Sequence, residues 1–334
     1  MTLHAYAAVS AGAPLVPFDY EPEPLAAHEV EIAISHCGIC HSDLHLLDND
    51  WHNTVYPLVP GHEIVGEISA AGSAVSDARI GSRVGVGWQR GSCGHCDDCI
   101  AGEEPFCPEN EATCLGHYGG FADRIRVSSR FCFALPTALP SAPAAPLLCG
   151  GATVYTPLVA YGVRADHRVG IVGVGGLGHL ALQFARAWGC EVTAFSHTAD
   201  KRDEALALGA HRFVATGEAG ALAAAASSLD FLLSTACADL DWPSYLNLLR
   251  PRGVLCIVGV PPSPLSIPAL PLIVGRRAVG GSVIAGRRRM RDMLRFAARH
   301  HIGARVEECG LAAVNGALAR VRGGGVRYRV VLTP

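Results

Sequence analysis

Neither sign of charge dominates this sequence: the formal net charge is −3 at pH 7 over 334 residues. That leaves no global field to draw the chain to nucleic acid or to anionic lipid. No apolar run reaches membrane-spanning length uninterrupted, so a membrane partner is not expected. The opening stretch, MTLHAYAAVSAGAPLVPFDY, lacks a basic segment followed by an apolar one, and it has no Arg-rich transit character. The expectation is therefore a chain without an export signal, resident in the cytoplasm. There is no internal repeat and no low-complexity linker. A disulfide framework is also excluded, because the 13 cysteines are odd in number and those of the second half are isolated.

What is present is apolar mass. With 50% hydrophobic residues the chain can fill more than one core, and two domains are the default. The first part reads as β-rich: Glu29 to Ser35 (EVEIAIS) alternates apolar and polar residues, and runs such as RVGVGW are bounded by turn formers. From about Leu148 the pattern becomes strands separated by helix-length segments, starting with Val169 to Gly173 and a helix from Leu177 to Gly189. EVTAFS, HRFVA, LDFLLST and GVLCIVGV follow as strands, separated by ADKRDEALALG, AGALAAAASS and DWPSYLNLLR as helices. This predicts an α/β, doubly wound parallel sheet of Rossmann type. After Ala285 come an Arg-rich helix (Arg287 to His301) and a terminal strand, VRYRVVL, able to return to the first domain. The expected domains are residues 1–148 with 285–334, and 149–284.

The strongest local signal is Cys93-x2-Cys96-x2-Cys99-x7-Cys107. Four thiolates on one short lobe close a tetrahedral zinc site with no open position, which makes it structural. Unrelated cysteines in a loop would explain the spacing poorly, and His95 inside the lobe reads as an exposed bystander. A second set is dispersed: Cys40 in CGICHSDLH, His62 and Glu63 in GHE, and Cys149 in LLCGG. Singly each is weak, since a lone histidine is more often a packed one and Cys149 could serve as a small apolar residue. Jointly, two thiolates and one imidazole would leave a coordination position open for substrate oxygen, the mark of a catalytic zinc. Asp43 could accept the imidazole N–H of His62; it could also cap the helix that SD begins, and the two roles can coexist.

A phosphate cradle is suggested by Gly173-x-Gly175-Gly176-x-Gly178, with Leu177 inside it, because this run follows an apolar strand and opens a helix. An NAD enzyme usually offers Asp or Glu at the end of the next strand, here EVTAFS, and none is there. The loop instead reads Ser196, His197, Thr198, Ala199, Asp200, Lys201, Arg202, whose hydroxyls and cations suit a 2′-phosphate. NADP(H) is therefore expected over NAD(H). The competing reading is that Lys201 and Arg202 are the solvated first turn of the next helix.

CGICHSDLH, PLVPGHEIVG, the four-cysteine lobe, LLCGGATVY, GVGGLGHLALQFA, DKRDEALALGA, FAARHHI and VRYRVVL, in that order, resemble the medium-chain zinc alcohol dehydrogenases. Within them the likeness is to the cinnamyl-alcohol-dehydrogenase-like branch, and it covers nearly the whole chain. It implies a β-rich GroES-like catalytic domain beside the Rossmann domain, and two zinc ions per chain. Cys40, His62 and Cys149, with Glu63 near, would hold the catalytic zinc; Cys93, Cys96, Cys99 and Cys107 would hold the structural one. Ser42 would take the alcohol proton and pass it on to His45. Thr153, Val260 and Ser282 join the expected cofactor contacts, Trp51 and Trp88 are candidate pocket walls, and a homodimer is expected. Two other readings compete. One is a relative recruited to reduce an iminium or a conjugated double bond. The other is a non-catalytic zinc-binding protein whose RRRMR helix touches nucleic acid.

Overall fold

Glu29–Ile39, the alternating segment, forms an inner strand of a seven-stranded sheet in the computed structural model, which describes residues 1–334. Across that sheet the strands run Val306–Gly310, Arg329–Thr333, Glu29–Ile39, Ile64–Ala71, Arg83–Val86 and Phe133–Ala134, and Arg124–Ser128 pairs with Glu29–Ile39 as well. Val30, Ile32 and Ile34 are buried with Ile64, Ile68, Phe121 and Val127 in one core. The terminal strand is antiparallel to it, with Val330 opposite Ile39 and Leu332 opposite Cys37. The chain therefore ends inside the unit in which it began.

Two compact units result: Met1–Ala152 with Ala285–Pro334, and Thr153–Ile284. The first runs four residues past the expected boundary at 148. The reason is chemical, since the sulfur of Cys149 packs 4.0 Å from that of Cys40.

In the second unit six parallel strands lie in the order Arg212–Ala215, Glu191–Ser196, Arg168–Val172, Leu229–Ser234, Leu249–Ile257, Ala278–Gly281. Numbered along the unit this is 3-2-1-4-5-6, the doubly wound order whose switch point lies beyond Val172. Val172, Phe195, Leu232, Leu246 and Leu255 are buried together in it. The helix expected from AGALAAAASS is a single turn, Ala221–Ala224. Alanine alone supplies too little apolar stripe to hold more, and Ser227, at φ 52°, breaks the run.

The Arg-rich segment is a helix, Arg287–Arg299, in the first unit. It buries Met290, Met293, Leu294 and Ala297. Among its arginines, Arg289 pairs with Glu103, and Arg295 with Asp292. No helix is long and apolar enough to cross a membrane.

Candidate active site and metal centres

The helix His41–Asp48 starts directly where the strand Glu29–Ile39 stops, with Cys40 as its N-cap. Asp43, fully buried, closes this cap: its Oδ2 accepts the Cys40 backbone N–H at 2.8 Å. Its other oxygen takes the Gly61 N–H at 3.0 Å and lies 3.1 Å from Nδ1 of His62. One carboxylate thus orients two residues that are distant in sequence. The cap and the imidazole contact coexist.

Cys40, His62, Glu63 and Cys149 are all buried, and their ligand atoms lie within 4.8 Å of one another. Nε2 of His62 is buried without a hydrogen-bond partner, which in a protein interior marks a group awaiting a ligand. Two sulfurs and one bare imidazole nitrogen fit a zinc ion well, and the histidine's other nitrogen is already committed to Asp43. Burial opposes charge on His62, yet the charges of Asp43 and Cys149 outweigh it and raise its pKa well above the usual value. The Cys40 thiol, hydrogen-bonded to Cys149 and flanked by His62, is held well below its ordinary value.

Glu63 faces the fully buried Arg329, whose Nη2 donates to both carboxylate oxygens and to the Ile39 carbonyl at 3.0 Å. Gly38 makes room, since a β-carbon there would come within 3.1 Å of the Glu63 β-carbon. Burial pushes the Glu63 carboxyl up to about 7 against the opposing pull of Arg329. Sequence reasoning missed Arg329. The available signal was a cation inside the apolar strand VRYRVVL, which demands a buried partner.

Ser42 and His45 stand three apart on the helix, hence on one face. The Ser42 hydroxyl is 3.7 Å from the Cys40 sulfur, and Nδ1 of His45 is 2.7 Å from Oδ2 of Asp50. Asp50 was also missed; its signal was an acid five residues beyond His45, past the αL residue Asn49 that ends the helix. Trp88 stands edge-on to His62 with ring centroids 4.9 Å apart. Trp51 packs on Trp88 at 5.9 Å and on His45 at 5.3 Å. The two tryptophans therefore border the cluster from its histidine side.

In the lobe the sulfurs of Cys93, Cys96, Cys99 and Cys107 also lie within 4.8 Å of one another. Backbone N–H groups of Gly94 and Cys96 reach the sulfurs of Cys99 at 3.3 Å and Cys93 at 3.4 Å. Such bonds favour thiolate, and those from His95 and Cys96 hold the Cys93 pKa down to about 6. His95 turns its Nδ1 to the Cys93 carbonyl at 3.1 Å, and it also belongs to a more exposed set with Cys93 and Glu109.

In the second unit, Gly173 has φ 87° at the end of its strand, and a β-carbon on Gly178 would strike the Gly173 carbonyl. The turn through Gly175, Gly176 and Leu177 therefore stays open at the N-terminus of the helix Gly178–Ala187. Thr235 braces it from the next strand, its hydroxyl donating to Val172 O at 2.9 Å. Lys201 donates to Val174 O at 3.0 Å, which holds its ammonium against the glycine loop. Ser196 ends its strand, His197 follows, and the Thr198 hydroxyl donates to Asp200. Arg202 turns away: its guanidinium lies 4.9 Å from the Phe213 ring centroid. Thr153 is half-buried on the helix Gly150–Ala160, Val260 is exposed, and Ser282 makes a 3.5 Å contact with Val283 O.

Comparison with known proteins follows the same division. Residues 26–137 match the family described as the alcohol dehydrogenase GroES-like domain, and residues 176–299 match zinc-binding dehydrogenase. The chain is 44% identical over 331 residues to the aldehyde reductase AdhA of Synechocystis, covering 99% of this chain and 98% of that one. Among solved structures it is similar to a cinnamyl alcohol dehydrogenase of Sorghum bicolor, with TM-score 0.96, 38% identity and coverage of 100% and 98%. It is also similar to the Helicobacter pylori enzyme complexed with NADP(H), with TM-score 0.92, 32% identity and coverage of 100% and 98%.

Proposed function

Since the chain belongs to the medium-chain zinc-dependent alcohol dehydrogenases, in their cinnamyl-alcohol-dehydrogenase-like branch, we propose that it is a broad-range aldehyde reductase moving hydride between NADP(H) and a primary alcohol/aldehyde pair. As a member of that family it is a zinc-dependent alcohol dehydrogenase/aldehyde reductase using NAD(P)H. The observation that carries the proposal is the buried set of Cys40, His62 and Cys149 with a bare Nε2, next to the Ser42 hydroxyl. These three would hold the catalytic zinc with Glu63 behind them, and the lobe cysteines would hold the structural one.

When bound, zinc supplies a Lewis acid for the carbonyl oxygen and the nicotinamide supplies the hydride. The chain's own residues move the proton. Ser42 gives its proton to the product oxygen, and His45 replaces it from the solvent side. Asp50 holds Nδ1 of His45, leaving Nε2 for the exchange. Trp51 and Trp88 offer apolar faces to an aromatic or aliphatic substrate. The presence of Ser42, His45 and Glu63 supports alcohol and aldehyde chemistry over reduction of an iminium or a conjugated double bond.

Lys201, Ser196, His197 and Thr198 would receive the 2′-phosphate, with Gly173 to Gly178 cradling the pyrophosphate. Thr153, Val260 and Ser282 would line the rest of the cofactor. The edge strand Ala278–Gly281, with exposed Leu270, Ile273 and Val274 nearby in sequence, supports a homodimer. Thirteen free thiols support a reducing, cytoplasmic setting.

The test is absorbance of NADPH and NADH with benzaldehyde, cinnamaldehyde, a short aliphatic aldehyde and a ketone, using a Cys40→Ser control. Rapid NADPH loss with aldehydes, abolished in the control, supports the proposal. A folded, zinc-loaded protein inert to the whole panel rejects it.

A further inference from the structure

Four thiolates on a divalent ion leave a net charge of −2, and a half-exposed lobe must balance it. The lobe's own charged neighbours make the demand larger, since Asp97, Asp98, Glu103 and Glu104 lie within its span and Glu109 just beyond it. Two arginines from other elements are placed to answer it. Arg130 belongs to the turn Ser129–Phe131, and Arg287 is the first residue of the helix Arg287–Arg299.

Arg130 lies over Gly94, inside the Cys93–Cys96 turn. A β-carbon at Gly94 would fall 2.9 Å from Cζ of Arg130. Only glycine, already at φ 78°, allows the guanidinium that approach. Arg287 comes from a different element. Its guanidinium lies 5.9 Å from the Phe131 ring centroid and its Nε 3.3 Å from Oε1 of Glu104.

Two features of Arg287 call for an anion. Its Nη1 is buried without a hydrogen-bond partner, and its Nε meets the Glu104 carboxylate at 3.3 Å without hydrogen-bond geometry, a costly state for a cation. Burial, then the charges of Arg130 and Arg291, lower its pKa, while Glu104 and, more weakly, Cys99 pull the other way. Glu104 offsets part of that charge, but Glu104 also accepts the Arg287 backbone N–H at 2.9 Å. Two cations converging beside one cysteine cluster are stable together when the cluster is anionic.

We propose that Arg130 and Arg287 are the counter-charges of the four-thiolate lobe, retaining its metal by electrostatic attraction without coordinating it. The inference rests on reading the lobe as a zinc site. Partners bonded directly to metal ligands change metal affinity by about 10- to 100-fold, and charges acting across space are expected at the lower end of that range.

Zinc release from the full chain to excess 4-(2-pyridylazo)resorcinol tests it. The phase lost in Cys40→Ser belongs to the catalytic site, and the remaining phase belongs to the lobe. Arg130→Gln and Arg287→Gln are each expected to speed the lobe phase about tenfold, and the double variant more. Arg287→Lys, which keeps the charge, is expected to stay near the wild-type rate. A double variant within twofold of wild type overturns the inference, as does Arg287→Lys releasing as fast as Arg287→Gln, which would mean packing on Glu104 and Phe131 is all that matters. If Arg287 variants fail to fold, the exposed Arg130→Gln alone decides, an unchanged lobe phase counting against the inference. Wild type holding one zinc per chain would instead reject the lobe reading itself.

Discussion

Oδ1 of Asp43 lies 3.1 Å from Nδ1 of His62, while Oδ2 of the same carboxylate caps the helix behind Cys40 at 2.8 Å. The side chain therefore sets the direction in which Nε2 of His62 points and the position of the Cys40 sulfur. Asp43→Asn keeps the shape but loses the charge. Zinc affinity at the catalytic set is expected to fall about 10- to 100-fold, read by chelator competition, with the lobe zinc retained. Undiminished affinity would mean that Asp43 serves only as a helix cap.

Asp50 offers a separable handle on the proton path. Asp50→Ala removes the partner of Nδ1 of His45 without touching a zinc ligand. The expected outcome is a kcat lower by about tenfold and a larger solvent deuterium isotope effect, with KM for NADPH unchanged. An unaltered isotope effect would take His45 out of the rate-limiting proton transfer.

Lys201 is the single lysine of the chain, every other permanently cationic side chain being arginine. An amine-directed reagent therefore has one side chain to modify, and it lies at the glycine loop. Labelling of Lys201, followed by peptide mass spectrometry, is expected to be blocked by NADPH and far less by NADH. Lys201→Met should raise KM for NADPH by about tenfold or more while leaving KM for NADH nearly unchanged.

Acid sensitivity has a specific source in the first unit. Burial alone would raise the pKa of Glu31, but hydrogen bonds from Arg126 and Ser69 and the charges of Arg126 and Arg124 outweigh it and lower the value. A carboxyl whose folded pKa lies below its unfolded one stabilises the fold above the unfolded pKa, and that contribution is lost as pH falls through the folded pKa. Glu31→Gln should therefore cost about 2 kcal/mol at pH 7. The deficit should shrink as pH falls below the unfolded carboxyl pKa and on through the lower folded one, where the wild-type carboxyl also becomes neutral. Thermal unfolding across pH reads both.

Periodicity made the sheets legible. Val30, Ile32 and Ile34 alternate in sequence and are buried, and the strand–glycine–helix pattern at Val172 to Gly178 lies at the switch point of a 3-2-1-4-5-6 sheet. Cysteine spacing made the lobe legible because its ligands are local. The pairing of Arg329 with Glu63 was not, because an ion pair joining residues 63 and 329 has no signature in spacing. The two meet because Glu29–Ile39 pairs with Arg329–Thr333 along one edge and with Ile64–Ala71, which follows Glu63, along the other. Arg202 misled for a related reason: its neighbour Lys201 faces the glycine loop, while it lies over Phe213. The alanine-rich stretch failed as a helix because propensity without a face to bury does not hold one.

Label transfer tests the central claim most directly. NADPH carrying deuterium at the transferable position of C4 is turned over with benzaldehyde, and the alcohol is examined by mass spectrometry. The account predicts benzyl alcohol with one deuterium on its carbinol carbon from the wild-type protein. It predicts none from Cys40→Ser, which retains the lobe zinc. Unlabelled product, or equal labelling by Cys40→Ser, would contradict it.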